Sequence, residues 1–143
     1  MKKIIILIIC IVILLVTIIS YKIYSNNQMK LKSERINKEY EQFYNVEVLG
    51  TDLASLMNKI ENSNEKNNIE KDENGIYIDN NKNSINLEIK FLELEEIITL
   101  EKVEQQGIAR FVQNFGAMSF KCMKIEYHKN TGSVKHMYFE QTK

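Results

Sequence analysis

The chain contains no proline and no tryptophan, and only two cysteines and two histidines among its 143 residues. Each scarcity closes a route. Cys10 lies inside a hydrophobic run and Cys122 far from it, so the two cannot pair if that run is in a bilayer. No disulfide framework is available, and the fold must rest on its core. Two His and eight Ser leave few routes to nucleophilic catalysis. The five Gly form no phosphate loop and no dinucleotide fingerprint, and neither Gly-x-Ser-x-Gly nor His-Glu-x-x-His occurs. Positive charge is not in excess either. Setting aside Lys2, Lys3 and Lys22 leaves 16 basic against 19 acidic residues from Ser25 onward, a net of −3. That argues against nucleic acid as the main partner, because phosphate binding needs a clustered basic face. Scarce Ala, absent Pro and Trp, and abundant Ile, Lys and Asn match the codon bias of an AT-rich bacterial genome.

What is present begins with Ile4 to Ile19, sixteen residues softened only by Cys10 and Thr17. Extended to Tyr24, the segment is long enough to span a bilayer core at about 1.5 Å per residue, or roughly 31 Å. Tyr21 and Tyr24 suit an interfacial belt, with Lys22 snorkelling between them. A cleaved signal peptide needs a shorter run and a small-x-small site, and Ile18-Ile19-Ser20 is the nearest approach. A lipoprotein signal ending at Cys10 would want a small residue where Ile9 stands. An uncleaved anchor over residues 1–24 is therefore expected. Lys2 and Lys3 favour a cytoplasmic N-terminus, whereas Lys22, Lys30, Lys32, Arg35 and Lys38 pull the other way. The short charged tail is awkward to translocate, so the reading is N-terminus in, with the domain outside.

Residues 25–45 read as an amphipathic stalk continuing the anchor. Met29, Ile36, Tyr40 and Phe43 form one stripe at spacings of seven, four and three. Residues 46–143 then read as a small α+β domain. A helix starts with Thr51 as N-cap and Asp52 in its first turn, and Leu53, Leu56, Met57 and Ile60 share a face. Asn62 to Asn68 reads as an exposed loop. Asn74-Gly75 and Asn80 to Asn83 are turn signals. A strand follows with Ile85, Leu87, Ile89 and Phe91 inward; a four-residue loop would set Ile78 opposite Ile85 and Ile76 opposite Leu87. A second helix is predicted from about Leu100 to Asn114, with Gly107 packed close to the sheet and Gly116 at the C-cap. The last hairpin turns at Asn130-Thr131-Gly132, with Gly in the left-handed position and Lys129 opposite Ser133. That register puts Met123, Ile125, Tyr127, Met137 and Phe139 on one face. It puts Cys122, Lys124, Glu126, His128, His136, Tyr138 and Glu140 on the other. The expected architecture is an antiparallel sheet of four to five strands with helices on one face.

Only that polar face gathers side chains with site chemistry. Glu126 falls opposite His136, with His128 diagonal and Cys122 further along, and all three types ligate zinc. The spacing follows no ligand motif, and a solvated polar face accounts for the same residues. His128, His136 and Glu126 stand as the candidate metal ligands, with no catalytic residue and no cofactor predicted. Glu93, Glu95, Glu96, Glu101 and Glu104 form an acidic run into the second helix. Such carboxylates can do acid–base work or bind Ca²⁺, but no Gly-bearing calcium loop accompanies them, so a charged helix start is the reading. Cys122 would need a base and a cleft to act as a nucleophile.

The plan resembles small single-pass membrane proteins of low-GC Gram-positive bacteria, and distantly the minor pilins and pseudopilins. The shared parts are the membrane helix running into a stalk, the helix start Gly50-Thr51-Asp52-Leu53-Ala54-Ser55-Leu56-Met57, and the antiparallel strands. The prepilin cleavage motif is not matched: Lys3 precedes the run where Gly is usual, and position 8 is Ile where Glu is usual. The resemblance implies a structural or assembly role. The expectation is a non-enzymatic protein of the bacterial envelope, pilin-like or accessory to an envelope assembly, with the membrane, itself or an envelope protein as partner. The alternative is a membrane-tethered binding module for an envelope ligand such as cell-wall polymer.

Overall fold

The computed structural model describes residues 2–93 and 96–143. It begins with one continuous helix, α1, over Lys2–Glu41. Forty residues at about 1.5 Å each reach roughly 60 Å, twice a bilayer core. No Gly or Pro interrupts it, so anchor and stalk are one rod. Its apolar stretch is exposed all round and is long and apolar enough to cross a membrane. Thr17 Oγ1 donates to the Leu14 carbonyl at 2.8 Å, so that hydroxyl needs no partner from lipid.

Only the far end of α1 meets the domain. There the predicted stripe is half right. Tyr40 is buried, and Phe43, in the turn after the helix, packs on the core. Met29 and Ile36 stay 43% and 38% exposed, and polar Ser33 and Asn37 are buried in their place. The docking face is therefore Ser33–Asn37–Tyr40, rotated from the apolar stripe. Asn45, at φ 59°, then turns the chain into strand β1, Glu47–Leu49.

Helix α2 runs over Gly50–Lys66 and buries Leu53, Leu56, Met57 and Ile60 as the periodicity requires. Its two ends differ from expectation. Thr51 is no N-cap. The N-cap is Leu49, two residues earlier, and the first amides are held by backbone: Gly50 N–H donates to Met118 O at 2.9 Å and Thr51 N–H to Gly116 O at 3.2 Å. Gly50 is needed for that approach, since a Cβ there would run into the Phe115 carbonyl. At the other end, the predicted loop from Asn62 is helical to Lys66, and Asn64 is fully buried. Its side chain grips one residue at both ends: Ile85 N–H donates to Oδ1 at 2.9 Å, and Nδ2 donates to Ile85 O at 2.8 Å. The Asn/Glu/Lys-rich composition hid an internal hydrogen-bond anchor.

The domain is α+β with one five-stranded sheet, in the order β1-β4-β5-β2-β3. The other strands are β2, Asn86–Lys90; β3, Ile97–Thr99; β4, Ser119–Tyr127; and β5, Val134–Gln141. The sheet is mixed rather than wholly antiparallel, because β2 lies parallel to β5. That pairing overturns the predicted register of Ile76 and Ile78 against Leu87 and Ile85. Both sides of β2 are taken by β5 and β3. Among the described residues Ile76 and Ile78 pair with neither Leu87 nor Ile85 and are exposed; Tyr77 instead bridges back to Lys71 across the Asn74-Gly75 turn. Both turns do form. Asp72 Oδ1 accepts from Asn74 and Ile76 N–H, and Asn80 Oδ1 accepts from Lys82, Asn83 and Ser84 N–H. Ile85, Leu87, Ile89 and Phe91 point inward as predicted.

The predicted second helix is two. Helix α3 covers Leu100–Gln106 and α4 covers Ile108–Phe115. Gly107 breaks them at φ +93°, with open space where a Cβ would stand, so its role is backbone freedom and not close packing. The break lets Phe111 and Phe115 reach Phe91 and Phe120 in an aromatic cluster, with centroids 4.6 to 6.2 Å apart. Gly116 occupies the C-cap, its N–H on the Val112 carbonyl at 2.8 Å.

The β4–β5 hairpin keeps its predicted register in the middle only. Gly132 is left-handed at φ +70°, and Lys124, Ile125 and Glu126 stand opposite Tyr138, Met137 and His136. Irregularities at Met123 and at Lys135 shift the pairing at either side. An extra residue reverses which face every later side chain takes. Cys122 thus turns into the core beside Phe139 and Met123 turns out; His128 is buried because the 79–85 segment covers it. One face of the sheet packs on α2, α3 and α4; the other, carrying Glu88, His136, Tyr138 and Glu126, is polar.

Candidate functional site

The bulges dismantle the polar cluster read from the sequence. His136 stays on the open face, opposite Glu126 on one side and Asn86 on the other. Its Nε2 is 3.2 Å from Glu88 Oε2, close enough for an ion pair but not aligned as a hydrogen bond. Glu126 is paired with Lys124, whose ammonium holds that carboxyl below its usual range. His128 is inside, under the 79–85 segment. Its Nε2 is 2.7 Å from the Ser84 carbonyl, which can only accept, so that nitrogen carries the proton. Nδ1 stands 3.7 Å from Asp79 Oδ1. Cys122 is buried, and burial pushes its thiol up to about 11. Such a thiol is protonated at neutral pH, the opposite of an activated nucleophile. Among the described residues no three His, Cys, Asp or Glu converge on a common point for a metal.

The acidic run is dispersed too. Glu95 lies outside the described residues. Glu96 pairs with Lys102 at 2.7 Å. Glu101 is buried and accepts from Tyr77 N–H at 3.3 Å. Glu104 meets Lys71 at 2.8 Å; burial raises its carboxyl and the Lys71 ammonium partly restores it. Glu101 and Glu104 fasten the 69–78 segment to α3.

A different site emerges where α1 meets the domain. Asn37 is its centre. Nδ2 donates to Gly132 O at 2.7 Å, and Val134 N–H donates to Oδ1 at 2.9 Å. One turn earlier, Ser33 and Ser133 share a hydroxyl hydrogen bond of 2.8 Å. One turn later, Tyr127 donates to Glu41 at 2.8 Å; burial, then this carboxylate, raises the phenol to about 12. The 131–134 turn is in turn fastened to the 79–85 segment, because Thr131 Oγ1 donates to Lys82 O. That segment is held by His128 at Ser84 and by Asn64 at Ile85. A chain of side-chain-to-backbone bonds therefore runs from α1 to the last turn of α2.

Beside this clamp lies a cleft of about 260 Å³ between α1, the end of α2 and the two turns. Met29, Ile36 and Tyr40 wall it on the stalk side, and Ile85 and Val134 on the domain side. Lys32 and Lys82 are its charged residues, and no carboxylate lines it. Among the described residues neither lysine forms an ion pair. Sequence reasoning did not find this site. Its polar members, Ser33, Asn37 and Asn64, carry no pattern that separates a buried amide from an exposed one. No protein-family model, curated protein or solved structure matches the chain.

Proposed function

We propose that the chain is a non-enzymatic protein of the bacterial envelope, pilin-like in plan or accessory to an envelope assembly. Its single N-terminal helix is the anchor, with the N-terminus cytoplasmic and the domain outside. The observation that carries the reading is an open apolar edge next to the stalk. Strand β1 covers β4 only from Ser119 to Lys121, and a lone bridge from Tyr44 reaches Cys122. From Met123 to Tyr127 no strand among the described residues pairs on that side. Met123 is 48% exposed there, with Tyr44, Val46 and Leu49 exposed along the same edge. Natural sheets blunt a free edge with charge and bulges, and Lys124, Glu126 and the Met123 irregularity do so here, so the surface left for a partner is the apolar group of Tyr44, Val46, Leu49 and Met123. The Asn37 clamp holds this edge at a fixed orientation to the membrane, as an assembly subunit requires. A photocrosslinker at Met123 in native membranes is expected to capture a second copy or one envelope protein. A strictly monomeric product would overturn the assembly reading.

A second reading is favoured by the cleft: a membrane-tethered binding module for an envelope ligand. It predicts that a ligand raises the unfolding temperature of the domain.

A further inference from the structure

We infer that the cleft between α1 and the domain is a lipid site, taking one acyl chain of an anionic membrane lipid with its headgroup at Lys32 and Lys82. The inference rests on the binding-module reading and names its ligand. Three observations carry it.

The first is hydrogen-bond saturation. The backbone groups around the cleft are already taken from within: Ile85 by Asn64, Gly132 and Val134 by Asn37, Lys82 O by Thr131. A peptide or a sugar polymer would find no free backbone ladder here. What remains on offer is the apolar surface of half-exposed Met29 and Ile36 over Tyr40, Ile85 and Val134, the side chains of Ser63, Asn67 and Asn83, and two ammonium groups. That combination recognises an anionic amphiphile.

The second is charge. Lys32 and Lys82 line the cleft without a carboxylate to neutralise them. Two unpaired ammonium groups at an apolar cleft attract an anion and disfavour a cation.

The third is position and size. Met29 is five residues beyond Tyr24, so the cleft begins about 8 Å above the interfacial tyrosines on a continuous helix. The headgroup layer is only about 5–8 Å deep on each side, so the Met29 end of the cleft stands at its outer limit, and a chain that enters the cleft leaves the bilayer. A volume of about 260 Å³ is below the roughly 300 Å³ where pockets for larger ligands begin, so it takes part of one chain and no more. Moving a chain from bilayer to cleft leaves its own surroundings apolar. The gain comes from covering half-exposed Met29 and Ile36 and from pairing the two lysines.

The test uses the full chain reconstituted in phosphatidylcholine vesicles. These contain a phosphatidylglycerol with a photoactivatable diazirine midway along one chain, and adducts are mapped by mass spectrometry after irradiation. Adducts on the peptides carrying Ile85 or Val134 are expected, because lipid of the bulk bilayer cannot reach them. Anchor adducts at Ile4–Tyr24 report correct insertion in every variant. Ile36→Trp, which fills the cleft, should abolish the domain adducts and keep the anchor ones. Lys32→Glu with Lys82→Glu should lower them about tenfold or more. Adducts confined to the anchor would overturn the lipid site, as would equal domain labelling by the phosphatidylcholine analogue for the anionic preference. If a benzophenone at Ile36 captures a second copy of the chain, the occupant is a protomer and the inference falls. Melting the same protein with added cell-wall polymer separates the two levels. A raised unfolding temperature without domain adducts removes the lipid and keeps the binding module, and no rise together with no adducts removes both.

Discussion

Replacing Asn64 by Ala should cost the domain far more than its surroundings in the sequence suggest. The side chain is fully buried and makes two hydrogen bonds, at 2.8 and 2.9 Å, to the carbonyl and amide of Ile85. Truncation strands both backbone groups away from water. Each stranded group costs about 1–3 kcal/mol, so the loss should be about 2–6 kcal/mol. A small domain has only about 5–15 kcal/mol in total. The unfolding midpoint should fall on the order of 10–30 °C. Near-ultraviolet circular dichroism of the full chain in micelles reads this well: tryptophan is absent, and buried Tyr40 and Tyr77 supply the signal. Asn58→Ala, on an exposed turn of the same helix, is the control and should change stability by less than about 0.5 kcal/mol. Asn64→Asp adds a sign. A neutral carboxyl can both donate to Ile85 O and accept from Ile85 N–H, whereas a carboxylate can only accept. Burial raises the folded-state pKa of such a group, so its stability should be present at low pH and lost as pH rises through that value. A loss below about 0.5 kcal/mol for Asn64→Ala would refute the reasoning.

Three further outcomes follow from the same structure. Asn37→Ala leaves the buried Val134 amide and the Gly132 carbonyl without their partners and should cost about 1–3 kcal/mol, read as a lowered denaturation midpoint with unchanged slope. With its thiol near 11, Cys122 has about one molecule in a thousand ionised at pH 8, so iodoacetamide should label it only after denaturant is added; fast labelling of the folded chain would place it outside the core. Asp79 is held below the usual carboxylate range by Lys135 first and the Asn81 amide second. Its stabilisation is present above the unfolded value and lost as pH falls through the folded one, so wild type should exceed Asp79→Asn by under about 1 kcal/mol at pH 7 and converge with it below about pH 4.

What could be read from the sequence was periodic and apolar. The buried face of α2 and the alternation of Ile85 to Phe91 follow from side-chain hydrophobicity alone, and the structure returns them residue for residue; the N-terminal run returns as a helix long and apolar enough to cross a membrane. The Gly132 turn is legible because few residues tolerate its backbone. What could not be read depends on long-range pairing. The parallel β2–β5 ladder joins segments some fifty residues apart, and no local pattern distinguishes it from the tighter hairpin with Ile76 and Ile78. The irregularities in β4–β5 leave no composition signal, yet the one at Met123 decides that Cys122 faces inward, while His128 is buried by the 79–85 segment that covers it. That is why the polar cluster of Glu126, His128, His136 and Cys122 was drawn on one face and lies on two. The stalk–domain cleft was hidden for a related reason. Ser33, Asn37 and Asn64 look like solvent-facing residues until the backbone groups they satisfy are brought to them.

The most direct test of the account is the rigidity of the rod that joins bilayer to domain. Spin labels at Lys22 and Lys38, in a chain carrying Cys10→Ala and Cys122→Ala, can be measured by pulsed dipolar spectroscopy in nanodiscs. An unbroken α1 places the two backbones about 24 Å apart and predicts one narrow distance distribution. A broad or two-peaked distribution would mean that anchor and stalk are separate segments, and would contradict a domain mounted at a fixed orientation on its membrane helix.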